Sequence, residues 1–199
     1  MELKRIKQII TWADELDGVL AISDLKVAFD KNSEASLFRA INEFVDAGEL
    51  IKVKRGIYAT PRAKLSNIAW RLYPKSYIST GTVLAAKALI SSVPERKIQA
   101  IKIGAPRIFR CTIGIIEFLS IAPKLFFGFD NINGHLVAKP EKAFLDVCYY
   151  FYKGKTFSFD PQTDIAYQEL DQALIAKYLN SYDRRFKTYF EKNWRLNDK

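Results

Sequence analysis

Residues 31–59, KNSEASLFRAINEFVDAGELIKVKRGIYA, set an arginine and several small or amide side chains on one helical face, just ahead of a basic turn. Leu37, Ala40, Ile41, Phe44 and Val45 recur at the spacing of a stripe that must face a core. At about 100° per residue the opposite face carries Asn32, Ala35, Ser36, Arg39, Asn42, Glu43 and Asp46. Short side chains let such a helix approach base edges. Arginine can read guanine and asparagine can read adenine in the major groove. Asn32, Ser36, Arg39 and Asn42 are therefore the candidate base contacts. Lys31 and the hairpin residues Lys52, Lys54 and Arg55 are candidate phosphate contacts. Glu43 and Asp46 fall towards the C-terminal end of the helix, the end that points away from the groove when a recognition helix docks by its N-terminal residues.

Other chemistry is sparse. The single histidine, His135, adjoins an Asn133-Gly134 turn signal and has no Ser or Cys partner in an identifiable motif. Asp160, Asp164 and Asp171 are the only carboxylates whose grouping suggests a metal, and Asp160-Pro161 is chiefly turn chemistry. Neither a G-x-x-x-x-G-K-[ST] loop nor a GxGxxG is present. The aromatics Tyr149, Tyr150, Phe151, Tyr152, Phe157 and Phe159 have the chemistry to stack bases, but their neighbours Phe144, Leu145 and Cys148 make core or interface the simpler reading. No catalytic residue, metal or cofactor is expected.

The elements that must position the candidate face read as follows. Leu3, Ile6, Ile10 and Ala13 predict a first helix over 2–17, stopped by Asp17-Gly18. Ser23 is the expected cap of a short second helix carrying Leu25, Ala28 and Phe29. Asn32 or Ser33 is the expected cap of the third. Gly48 stops that helix, and LIKVKRGIYAT folds back at Arg55-Gly56 as a hairpin. Helix, stop and basic hairpin in this order predict a winged helix-turn-helix over 1–60, with pure protein–protein packing as the alternative use. Residues 61–74 read as a helical connector closed by Pro74.

From 75 to 199 the expectation is a mixed α/β domain, a small antiparallel sheet flanked by helices, with further helices at the C-terminus; the fold class is α+β. YISTGTVLAAKALI reads as a helix capped near Ser79 or Thr80. KIQAIKIG, RIFRCTI, GIIEFLSI and KLFFGF read as strands, and DNINGHL as a hairpin turn. Pro140 opens a strong helix, PEKAFLDVCYYFY, and helical segments follow near 166–180 and 182–194.

Charge separates the two halves. Residues 1–60 hold nine Lys and Arg against ten Asp and Glu, whereas residues 61–110 hold ten against the single Glu95. Arg62, Lys64, Arg71, Lys75, Arg96, Lys97, Arg107 and Arg110 in that stretch form a second tier of basic surface, fitted to a polyanion. No apolar run has the roughly 18 residues a membrane span needs. Cys111 and Cys148 lack metal-ligand spacing and are expected to be buried free thiols, which suits a cytoplasmic protein.

The order of a winged helix, then YIS and AKALI near 77–90, PRIFRCTIGIIEF, KLFFG at 124–128 and AKPEKAFLD at 138–146 resembles the AbiEi family. These are antitoxins of type IV toxin–antitoxin systems that also act as transcriptional regulators. The resemblance covers about residues 3–153. Near 85–90 the family often places an aromatic residue or His followed by Gly, where this chain has Ala86-Lys87-Ala88. What the resemblance implies is an N-terminal domain that binds double-stranded operator DNA and represses its own operon. The C-terminal domain would neutralise a cognate nucleotidyltransferase-like toxin, without a stable complex being required. Glu141, Lys142 and Asp146, inside the second motif, are candidate partner contacts, with helix packing as their other reading. The rival functions are a winged-helix transcription factor without a toxin and an enzyme acting on nucleic acid through Asp160 and Asp164.

Overall fold

In the computed structural model the described residues are 11, 13, 15–29, 33–91 and 96–196. Most of the helix expected over 2–17 lies outside them, as do Lys31 and Asn32. By its internal contacts the chain divides into two units. The first is Met1–Pro74 with Ile108–Ile116, and the second is Lys75–Arg107 with Glu117–Lys199.

In the first unit, strand β1 (Val19–Ala21) leads straight into helix α1 (Ile22–Phe29). The Asp24 carboxylate accepts from the Ala21 amide at 2.8 Å, reaching back from the first turn to an amide at the helix start. Asp24, inside the helix, therefore replaces the expected Ser23 cap. Helix α2 (Glu34–Asp46) is capped as the sequence suggests, with the Ser36 amide donating to the Ser33 hydroxyl at 3.2 Å. It ends with Gly48 at φ +74°, where the Glu49 amide donates to Phe44 O and the Gly48 amide to Val45 O. That pair of bonds is a Schellman cap, which needs a left-handed residue at Gly48. Strands β2 (Ile51–Lys54) and β3 (Ile57–Ala59) turn at Arg55-Gly56, and β3 pairs on its other side with β1, giving the antiparallel order β1-β3-β2. Leu20, Leu25, Phe29, Leu37, Ala40, Ile41, Leu50 and Tyr58 form one buried cluster under these elements. Helix α3 (Leu65–Leu72) buries Ile68, Ala69 and Leu72, and Arg71 on it pairs with Asp24 of α1 at 2.6 Å.

The remaining strands form a six-stranded sheet of order β6-β7-β5-β4-β9-β8: β4 (Ser76–Ile78), β5 (Lys97–Ile103), β6 (Arg107–Cys111), β7 (Gly114–Ile121), β8 (Phe129–Ile132) and β9 (His135–Ala138). It is mixed, not antiparallel throughout, because β4 runs parallel to β9 with Tyr77 opposite Leu136. The start of YISTGTVLAAKALI is the cause. Its first residues are this inserted strand, and the helix there, α4, spans only Gly81–Ala86. Thr80, at φ +54°, turns the chain between the two, and its side chain accepts no capping hydrogen bond. KLFFGF is likewise not a strand. Pro123 opens a 3-10 turn over Pro123–Leu125, and Gly128 at φ +76° breaks the run before β8. The Asn133-Gly134 turn is as expected, both residues left-handed and Ile132 opposite His135, so His135 starts a strand and is half-buried.

Helix α5 (Pro140–Tyr152) lies in the core with α6 (Gln172–Leu179) and α7 (Arg184–Asn193). Phe144 stacks on Tyr167, and Phe186, Phe190 and Trp194 pack behind it. Cys148 is buried there and Cys111 is half-buried; both are free thiols. Among the described residues no helix is long and apolar enough to cross a membrane.

Candidate functional site

The exposed side of α2 is built by exclusion. Leu37, Ala40 and Ile41 are fixed in the core, so Ala35, Arg39 and Asn42 are left exposed and Ser36 half-exposed. Neither Arg39 nor Asn42 makes a side-chain hydrogen bond or ion pair among the described residues, so both donor sets are available to a ligand. Ser36 is less free, because its hydroxyl donates to Ser33 O at 2.9 Å within the cap. Glu43 and Asp46 are exposed at the far end of the helix.

The hairpin behind α2 offers fewer cations than expected. Lys52 and Arg55 are exposed. Lys54 is half-buried, its ammonium 5.9 Å from the ring centres of both Tyr73 and Phe109. A cation at that distance over two rings is held by them. Lys54, expected as a free phosphate contact, is thus partly engaged in packing. Of the second tier, Arg62, Lys64, Lys75, Arg96, Arg107 and Arg110 are exposed, while Arg71 is committed to Asp24 and Lys97 to Glu117 at 2.9 Å. A hollow of about 260 Å³ in the first unit is bordered by Arg62, Lys64 and Asn67.

The second unit buries its motif residues. Lys142 and Asp146 have no exposed side-chain surface. Their expected role as partner contacts is corrected: successive turns of α5 point both inward. The Lys142 ammonium donates to Asp146 Oδ1 at 2.5 Å and to the Tyr182 hydroxyl at 2.9 Å. Ser79 and Tyr77 hydroxyls donate to Asp146 Oδ2 at 2.7 and 3.1 Å. Rings of Phe127, Tyr182 and Tyr77 face the ammonium at 5.1 to 5.8 Å. Burial pushes the Asp146 carboxyl up, against the lowering by Lys142, Ser79 and Tyr77. Gly128 presses on this lysine, since a Cβ there would stand 3.0 Å from Lys142 Cβ. The resembling motif therefore works as a structural joint.

A second, partly buried network begins beside it. The Thr80 hydroxyl meets Gln99 Oε1 at 2.7 Å, Gln99 Nε2 donates to Glu117 Oε2 at 2.8 Å, and Lys155 donates to Glu117 Oε1 at 2.6 Å. Burial alone would raise the Glu117 carboxyl, but hydrogen bonds from Lys155, Lys97 and Gln99 outweigh it and hold Glu117 down at about 2. Sequence reasoning missed this network. Its signal was Glu117 itself, an acid inside the apolar run GIIEFLSI, which calls for a buried cation.

Glu141 is half-buried beside a groove of about 600 Å³ that Ile78, Val83, Ile132, Val137 and Leu174 line. Asp160 and Asp164 serve their own turn: Asp160 Oδ1 accepts from the Gln162 amide at 2.8 Å and Asp164 Oδ2 from the Asp160 amide at 2.7 Å. Among the described residues no three His, Cys, Asp or Glu are placed to hold a metal ion. No protein-family model matches the chain, and no curated protein matches it.

Proposed function

We propose that the chain is a DNA-binding regulator of the antitoxin type. In this reading the first unit is a winged helix-turn-helix, with α2 in the major groove of operator DNA and the β2–β3 hairpin as the wing on its phosphates. The observation that carries it is the exposed face of α2: Arg39 and Asn42 stand unpaired among the described residues on a helix capped at Ser33, and a hairpin exposing Lys52 and Arg55 follows directly. Arg39 and Asn42 read bases, while Lys52 and Arg55 contact phosphate and Arg62 and Lys64 reinforce them. The toxin-neutralising half rests on the sequence resemblance at 124–128 and 138–146, assigned to the second unit.

Two measurements test the halves separately. Binding of the full chain to the DNA upstream of its own gene, against a scrambled duplex, tests the first. Equal affinity for both would refute operator recognition. Co-expression with the product of the neighbouring gene tests the second. The full chain should relieve that product's toxicity, and so should a variant carrying Arg39→Ala, Lys52→Ala and Arg55→Ala. Relief by neither would leave a regulator without a toxin partner.

A further inference from the structure

Phe38 on α2 is 36% exposed, although the core positions of that helix are already filled by Leu37, Ala40 and Ile41. Part of the ring packs on the protein, and the third left exposed is apolar surface open to a ligand. Its surroundings on the helix indicate which kind. Ala35 lies three residues before it, Arg39 one after and Asn42 four after, and all three are exposed. At helical spacing these four side chains share about 100° of arc. On this face the apolar surface is narrow, one ring and one methyl group, and a guanidinium and an amide share the face with it. A protein partner would ask for a broader apolar patch. A polyanion carrying isolated apolar groups fits what is there, and the apolar group that the DNA major groove displays is the thymine C5-methyl.

We propose that Phe38, aided by Ala35, covers thymine methyl groups beside the bases that Arg39 and Asn42 read. Phe38 is then a specificity-determining residue, and the preferred site combines guanine and adenine with adjoining thymines. The inference rests on the reading of the first unit as a DNA binder. It adds a hydrophobic term to a recognition face whose other members act by hydrogen bonds.

The test uses the full chain and duplexes selected by it from a random pool. Each thymine of a selected duplex is replaced in turn by deoxyuracil, which differs only in lacking the methyl group. Affinity should fall about fourfold for each methyl that the protein covers, the effect of burying one such group. Phe38→Ala should bind the thymine and uracil duplexes alike while still discriminating guanine through Arg39. Phe38→Leu should keep part of the thymine preference. Equal binding of both duplexes by the unchanged protein overturns the inference and leaves the DNA reading standing; it needs no variant to fold. Failure to select any duplex overturns the DNA reading as well. Dissociation of a dimer by Phe38→Ala in sedimentation would assign the ring to a contact between copies, and also overturns it.

Discussion

Helices α2 and α5 carry similar polar side chains and put them to opposite uses. On α2, Arg39 and Asn42 stand exposed and make no side-chain hydrogen bond or ion pair among the described residues. On α5, Lys142 and Asp146 are fully buried and bound to each other, to Ser79 and to two tyrosines. A solvated polar group costs folding little whether or not it has a partner, so it is free to vary with a ligand. A buried charge is tolerable only while every partner is present. The difference teaches that the more memorable motif, PEKAFLD, is the joint of its unit, while the plainer one, SLFRAIN, leaves Arg39 and Asn42 exposed.

The largest way to break this contrast is to remove a single charge. Asp146→Ala should cost about 3–5 kcal/mol in urea unfolding, because the Lys142 ammonium is left buried without its counter-charge. The pair Lys142→Met with Asp146→Leu should cost clearly less than that single change. If the pair is the more damaging, packing and not charge compensation holds the joint. By the same assay Arg39→Ala should stay within about 0.5 kcal/mol of the unchanged protein.

Binding sharpens the other side. Arg39→Ala should lose about 1–3 kcal/mol at a selected site and little on random DNA. Lys52→Ala with Arg55→Ala should weaken all duplexes and flatten the salt dependence of log K by about two units, whereas Lys54→Ala should leave that slope unchanged. A slope that Lys54 does alter would return it to the phosphates.

Acid should also separate the two regions. Glu117 is held at about 2, below its ordinary 4.5, so the charged form is favoured in the folded state. Its contribution is complete above about 4.5, and it is lost as pH falls from there towards 2, because the folded protein then binds a proton less readily than the unfolded chain. Glu117→Gln should remove this part of the acid sensitivity. A stability profile left unchanged by that substitution would show that the two lysines do not hold the carboxylate.

The smallest effect concerns two helix ends with the same cap. Helix α2 closes on Gly48 at φ +74°, and α4 closes on Ala88 at φ +55°, with the Leu89 amide bonded to Leu84 O. The left-handed conformation suits glycine and strains alanine, so Ala88→Gly should stabilise the protein by about 1 kcal/mol. Gly48→Ala should destabilise it by a similar amount.

Local signals were legible wherever the chemistry is local. Ser33, Gly48, Arg55-Gly56, Asn133-Gly134 and Pro140 each act through their own φ angles and the amides within a few residues, and each does in the structure what its type requires. The apolar periodicity of α2 likewise put Arg39 and Asn42 on its exposed side, but it did not single out Phe38 as exposed. Only the tertiary structure decided the rest. Ser76–Ile78 became a strand because β5 and β9 offer it ladders on both sides, 20 or more residues away. Lys54 went to two rings that lie far from it in sequence, and Lys142 and Asp146 turned inward because Ser79, Tyr77 and Tyr182 meet them there. A charged side chain looks the same in sequence whether water or a distant partner satisfies it, and packing supplies that choice.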